Sequence, residues 1–292
     1  MQYRIRIFSS WCSSTYGKNE IEQISLLCQQ SSDYGENKRV YITDGDDYTH
    51  VIIWNTATPE IRRDIPKENV IGFSHEPIVY LGLHPGFIEY AKKYIHKYYI
   101  GDVVNLPAPF IEGNCYLTYN PPLQSLSPKK HRMSLMISNK FHQPGHQYRH
   151  ILATEILKTN LPVDIYGRGC VFDVYQNDSR NKGIFKQYEL YDGYDFHICI
   201  ENVQSNHYFS EKIINPLLTG VTPIYLGCKN IDNYFSNNVI KLNGNVEHDM
   251  NLISDICINP NKYRKHIDVA EIERKVSLLR NIEYLYNNTR DQ

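Results

Sequence analysis

The sequence predicts an α/β protein of two Rossmann-like domains, each a parallel sheet wrapped by helices, facing each other across a cleft. Three observations carry this prediction. Short apolar, β-branched runs alternate with stretches of helical periodicity. The alternation occurs twice. Between the two series lies Asn114–Lys130, NCYLTYNPPLQSLSPKK, whose Pro, Ser and Asn content reads as a linker. A chain of 292 residues suits two domains of about 150 residues each. The predicted divisions are an N-terminal α/β domain over 1–125, a second α/β domain over 126–260 and a helical tail over 261–292.

The first series of strands is Arg4–Ser9, Arg39–Thr43, Val51–Trp54 and Val70–Phe73. The second is Leu135–Ser138, Val163–Tyr166, Phe196–Ile200, Pro223–Leu226 and Val239–Leu242. Continuous apolar runs of this kind suit parallel strands covered on both faces. Helices are expected at Asn19–Gln29, with Ile21 and Ile24 inward, and at Gln147–Lys158, with Tyr148, Ile151, Leu152 and Ile156 at helical spacing. A third is expected at Ser210–Leu218, where Ser210 is the natural N-cap and Pro216 weakens the middle. The stretch Asn261–Tyr286 reads as one or two long helices. In such folds ligands bind at domain interfaces and beyond the C-terminal ends of parallel strands.

Composition narrows the function. The 31 basic and 32 acidic side chains leave a formal charge of −1, without the basic excess of a nucleic-acid binder. Seven scattered cysteines with no CxxC spacing argue against a zinc site or a disulfide framework, and Cys199 and Cys228 sit in or beside apolar strands as core residues. No run reaches the roughly 18 apolar residues of a membrane span, and MQYRIRIFSSW is too short and alternating for a signal peptide. A soluble, cytoplasmic protein is the expectation. Tyrosine is abundant, with 24 against 10 Phe and 2 Trp. Its ring and polar tip suit sugar surfaces, but A/T-rich coding bias, which also raises Asn, Ile and Lys, is the preferred explanation of the abundance.

The chemistry concentrates in YDFHICIENVQSNHYFSEKIINPLLTGVTPIYLG, Tyr194–Gly227. Glu201 and Asn202 fall at the C-terminal end of a buried strand. Glu211 and Lys212 fall in the first turn of the following helix. A lysine there opposes the helix dipole, which makes sense if it meets an anion such as phosphate beside free N–H groups. Taken singly, Glu211 reads as a capping carboxylate and Lys212 as a solvated cation. Two carboxylates, an amide, the Tyr208 phenol and an ammonium held between two buried strands exceed what a connecting loop needs.

These residues resemble the signature of glycosyltransferase family 10, the α-1,3/4-fucosyltransferases: a strand ending in Glu-Asn, a short loop, Y-x-S/T-E-K, an apolar helix, and a T/V-P-I/V-x-x-G strand. VDIYGRGC, Val163–Cys170, is similar to the family's V-D-x-Y/F-G-R-G element, and ISNKFHQPGHQYRHILATEIL to its S-N…R segment. The resemblance spans Leu135 to Leu242. It implies a fold of the GT-B type and inverting transfer of fucose from GDP-fucose without a bound metal or other cofactor. It also implies roles. Lys212 and Arg149 neutralise the diphosphate, Glu211 holds the ribose hydroxyls, and Asn202 and Tyr208 contact phosphate or the fucosyl ring. Glu201, Gly167 and Arg168 complete the donor side.

The chemistry asks for the same things. Negative charge grows on the departing diphosphate, and a metal or fixed cations must stabilise it. The nearest approach to a metal-binding DxD motif is DGDD, Asp44–Asp47, which reads as a solvated turn.

Inversion also needs a base. NVIGFSHEPIVY, Asn69–Tyr80, places Glu76 just past a strand end. The resemblance makes Glu76 the base, matching the family's F/Y-x-x-E element, with His75 as the rival. The loops after Glu76 depart from the family pattern, which leaves the acceptor open. The expected acceptor is a β-galactoside or N-acetylglucosamine-type glycan, joined in α-1,3 linkage. Two other readings stand beside this one: a relative using another nucleotide sugar, and a catalytically silent nucleotide-sugar or glycan-binding module. A Rossmann oxidoreductase is disfavoured because no G-x-G-x-x-G follows the first strand.

Overall fold

The computed structural model describes residues 2–29, 37–103, 105–121, 123, 125–129 and 131–287. Residues 122, 124 and 130 of the predicted linker and 288–292 of the predicted tail lie outside the described residues. The chain forms two compact units. The first comprises the described residues of Met1–Pro121, Ser205–Tyr208 and Glu273–Gln292, and the second those of Pro122–Gln204 and Phe209–Ile272.

The first unit holds six parallel strands: β1 (Tyr3–Ser9), β2 (Val40–Thr43), β3 (His50–Trp54), β4 (Val70–Phe73), β5 (Lys97–Ile100) and β6 (Phe110–Glu112), in the order β2-β1-β3-β4-β5-β6. Helices α1 (Ser14–Gln29), α2 (Ile78–Leu81) and α3 (Pro85–Tyr94) connect them. Every residue of β3 and β4 is buried, as expected where strands are covered on both faces. Alternate residues serve opposite faces. Ile52, Trp54, Ile71 and Phe73 join one core cluster, and Val51, Ile53 and Val70 join another with Phe87 of α3 and Tyr98 of β5. Strands β5 and β6 escape the sequence reading. KYYI and FIE are short, and each carries a charged residue that breaks the apolar run.

The second unit repeats the plan with β7 (His131–Met136), β8 (Val163–Tyr166), β9 (Asn181–Gly183), β10 (Tyr194–Ile200), β11 (Thr222–Leu226) and β12 (Ile240–Lys241). Their order is β12-β11-β10-β7-β8-β9, again all parallel. The helices are α4 (Pro144–Leu157), α5 (Glu211–Leu218), α6 (Asp232–Phe235), α7 (Val246–Ile258) and α8 (Pro260–Tyr263). Within α9 (Val269–Val276) the chain returns to the first unit, after Ile272. Met133, Leu135, Phe196, Ile198, Ile224, Leu152 and Ile156 share one core cluster.

The C-terminal stretch forms three helices rather than one or two: α8, α9 and α10 (Leu278–Asn287). Leu278, Leu279, Ile282 and Leu285 of α10 pack under Ile5, Ile52 and Ile71 of the first sheet. Tyr286 donates to the Val51 carbonyl at 3.0 Å. The predicted strand at Leu135–Ser138 begins earlier, at His131, because the Met133 and Leu135 positions already alternate into the core.

Candidate active site

Strand β10 ends at Ile200 in the middle of the second sheet, and the next residue organises the whole turn into α5. Glu201 is 2% exposed. Its side chain accepts from the Ser210 N–H at 2.8 Å and from the Ser210 hydroxyl at 2.9 and 2.7 Å. Ser210 is the N-cap of α5, and its hydroxyl accepts from the Lys212 N–H at 3.4 Å. Glu201 therefore fixes where α5 begins. The carboxylate is enclosed and its oxygens are committed to Ser210, so its role in the structure is to position the helix.

Lys212 lies in that first turn. Its Nζ is 2.9 Å from Glu211 Oε1, 3.1 Å from Ser210 Oγ and 3.6 Å from Glu201 Oε2. Burial works against the ammonium, but Glu211 and Glu201 outweigh it and hold the pKa above the ordinary lysine range. Burial likewise works against the Glu211 carboxylate. Lys212 and Ser210 outweigh it and hold that pKa below its ordinary value.

Arg149 reaches the same strand end from α4 and is 2% exposed. Its Nε and Nη2 donate to the Ile200 carbonyl at 2.9 and 2.5 Å, and Nη2 donates to Asn202 Oδ1 at 2.7 Å. Burial lowers its pKa while Glu201 and Glu211 oppose the fall. A guanidinium stays charged regardless. No partner among the described residues engages Nη1. Asn202 thus orients the guanidinium, and its backbone carbonyl accepts from Gly145 N–H at 2.9 Å.

Two residues that sequence reasoning passed over complete this cluster. A Cβ on Gly145 would stand 1.8 Å from the Glu201 carbonyl oxygen, so only glycine lets the first turn of α4 touch the end of β10. His146 is next in the chain, 4% exposed, with Nδ1 buried and without a partner among the described residues. Burial lowers its pKa to about 4, and Arg149, His142, Lys140 and Lys212 push in the same direction. The Pro-Gly-His at the helix start, shortly after Ser138-Asn139, was the available signal.

Gly167 and Arg168 come after β8. Gly167 has φ of 112°, and a Cβ there would meet the Ile137 carbonyl oxygen at 2.1 Å. With exposed Arg168, it borders a cavity of about 280 Å³ beyond the ends of β7 and β8, shared with Met136, Ser138, Ile184 and Phe185.

The remaining predicted residues belong to the first unit. Tyr208 is buried against Cys115 and Leu117. The preceding Ser205 donates to Asp102 at 2.7 Å, which anchors Ser205–Tyr208 in that unit. Glu76, past the end of β4, is exposed. The His75 ring lies 4.5 Å from that of Trp54, with Nε2 buried and unpartnered, and burial lowers its pKa to about 3. The aspartates of DGDD are each engaged: Asp44 with Thr15 and Lys18, Asp46 with Arg6, and Asp47 with Arg4. No described helix is long and apolar enough to cross a membrane.

No curated protein sequence gives a significant match. A solved α1,3-fucosyltransferase bound to GDP aligns with a TM-score of 0.55 at 14% identity, covering 100% of this chain and 91% of that one. An α-glucosyltransferase bound to UDP and DNA gives 0.57 at 10% identity over 100% and 99%. A S. aureus TarM variant bound to UDP and glycan ligands gives 0.54 at 12% identity, over 86% of this chain and 56% of that one. At these identities the likeness establishes the fold, the two-sheet α/β architecture of GT-B glycosyltransferases. The profile of the C-terminal part of glycosyltransferase family 10 (fucosyltransferase) matches residues 126–277, which contain β10, α5 and α4 with their charged cluster. The chain belongs to glycosyltransferase family 10, the fucosyltransferase family.

Proposed function

We propose that this protein transfers fucose from GDP-fucose to a hydroxyl of a β-galactoside or N-acetylglucosamine-type glycan, with inversion at C1 and formation of an α-1,3 linkage. The observation that carries the reading is the pair of cations, half-buried Lys212 and buried Arg149, held at the end of β10 beside the first turns of α5 and α4.

The second unit binds the donor. Lys212 and Arg149 Nη1 take the diphosphate, joined by free N–H groups at the two helix starts. Glu211 exchanges Lys212 for the ribose hydroxyls, and Asn202 keeps Arg149 in place. Arg168 and the cavity beside Gly167 receive the nucleoside end. Tyr208 contacts the phosphate or the sugar.

The first unit supplies the base. Glu76 takes the proton of the acceptor hydroxyl as its oxygen bonds to C1, and the C1–O bond to the diphosphate breaks on the opposite face. His75 is the poorer base, since an imidazole with its pKa lowered to about 3 holds an abstracted proton weakly. Charge leaving with GDP falls on Lys212 and Arg149, the work a metal performs in other transferases. This reading makes the chain an enzyme that needs no metal or other cofactor.

The test is a donor panel. GDP-fucose, GDP-mannose, UDP-galactose and UDP-glucose are compared by thermal shift and by nucleotide release with N-acetyllactosamine, with and without a chelator. GDP-fucose should stabilise most, by about 2.7 kcal/mol at 100 times its dissociation constant. It should also turn over in the chelator. Turnover of a UDP-sugar alone would replace the donor, and a manganese requirement would overturn the metal-free reading.

A further inference from the structure

The C-terminal ends of β1, β3 and β4 carry an aromatic cluster that the donor chemistry does not use. Ser9, Trp54 and Phe73 stand in register across the three strands. Two residues beyond Ser9 is Trp11, and two beyond Phe73 is His75. The Trp11 and Trp54 rings are parallel within 3°, with centroids 6.1 Å apart, and Trp54 meets the His75 ring at 4.5 Å. Tyr16, from the first turn of α1, meets Trp11 edge-on at 5.8 Å. The inner ring is fully buried, yet the outer pair is displayed: Trp11 is 50% and Tyr16 48% exposed.

The display is built rather than loose. Ser13 accepts from Tyr16 N–H at 3.1 Å, and its carbonyl accepts from Gly17 N–H at 3.0 Å. Thr15 donates to Asp44 at 2.9 Å, which ties the start of α1 to the end of β2. Gly17 packs so close to Trp54 that a Cβ would lie 3.2 Å from its ring.

We infer that Trp11 and Tyr16 form a stacking platform for a sugar ring of the glycan acceptor, beside the proposed base Glu76. A pyranose fits the display. Its C–H face covers the Trp11 ring, and the stack from Trp11 through Trp54 to His75 leads to Glu76, the proposed base for an acceptor hydroxyl. An apolar peptide or helix would cover the rings but bring no hydroxyl to that carboxylate. This inference rests on the reading of the protein as a glycosyltransferase with its acceptor on the first unit.

The chain's 2 tryptophans are both in this cluster, so its entire tryptophan emission reports on it. The full chain is titrated with N-acetyllactosamine and lactose, with glycerol as control. Emission should change saturably with the disaccharides alone. Trp11→Ala should raise the acceptor KM about tenfold, with kcat, GDP affinity and melting temperature little changed, and Trp11→Phe should stay within about threefold of the parent. Trp11→Ala with an unaltered acceptor KM, or saturable acceptor binding with no change in emission, overturns the platform. An emission response to disaccharide without fucose transfer upholds it while removing the fucosyltransferase reading, so the two failures are distinct.

Discussion

Lys212 is where the sequence and the fold state the same thing most directly. A cation at a helix N-terminus opposes the dipole, and here it persists because Glu211 and Glu201 flank it. Its removal takes this counter-charge from Glu211 and from the enclosed Glu201. Lys212→Ala is expected to weaken GDP binding by at least 30-fold, about 2 kcal/mol, measured by calorimetry. An unchanged affinity would deny it the diphosphate. Glu76→Gln separates the other role. It should lower kcat by about 10²–10⁴ and leave the GDP dissociation constant within about twofold, since the base touches the acceptor proton alone. An active Glu76→Gln enzyme moves the base elsewhere. Legibility at this scale tracked chain proximity. Glu211 and Lys212 could be read because a helix start sets their neighbours within a few residues. Glu201 could not be separated from ligand contacts, because its partner Ser210 stands across a loop that spacing alone does not fold.

At the scale of elements, the central strands were legible because burial on both faces writes an unbroken apolar run, as in HVIIW and TPIYL. The edge strands β6 and β9 carry no such run and were missed. Helix α4 was found, but its start was placed at Gln147 rather than Pro144. That small error hid the element's most informative contact. Gly145 N–H donates to Asn202 O, and its missing Cβ is what lets α4 abut β10. A methyl group 1.8 Å from a backbone carbonyl cannot be absorbed by a side-chain rotation, so the helix itself must move. Gly145→Ala is therefore expected to cost about 3 kcal/mol or more in stability, the upper range for overpacking. Whatever folds should bind GDP more weakly, because Arg149 and His146 ride on the displaced turn. Chemical denaturation with GDP titration checks both, and a variant with parental stability and affinity would show the contact to be yielding.

For the whole molecule, four histidines suppressed by burial are divided unequally between two units of similar plan, which makes acid a probe of the division. Burial lowers the pKa of His197 and His75 to about 3 and that of His146 to about 4, against 6.5 for an ordinary imidazole. His150 is shifted the same way, also chiefly by burial. Between these values and pH 6.5 the unfolded chain binds protons that the folded chain refuses. Stability from the neutral rings is therefore complete above pH 6.5 and drains as pH falls toward 4, by about 1.4 kcal/mol per pH unit for each ring. Carboxylates with depressed pKa, such as Asp178 at about 2, Glu211 and Glu283, lose their contribution only at lower pH, so the range from 6.5 to 5 belongs to histidine. Of these four rings, His146, His150 and His197 lie in the second unit and His75 in the first. Acid should thus weaken the second unit more steeply. Tryptophan emission reports only the first unit, because Trp11 and Trp54 are both there, while far-ultraviolet circular dichroism reports both. At pH 7.5 the two thermal transitions are expected close together. At pH 5 both midpoints should fall, and the dichroism transition should begin at a lower temperature than the emission transition. Midpoints that do not move between pH 7.5 and 5 would mean that these rings take up protons in the folded state at their ordinary pKa. A fall with both probes still coincident would mean that the two units unfold as one.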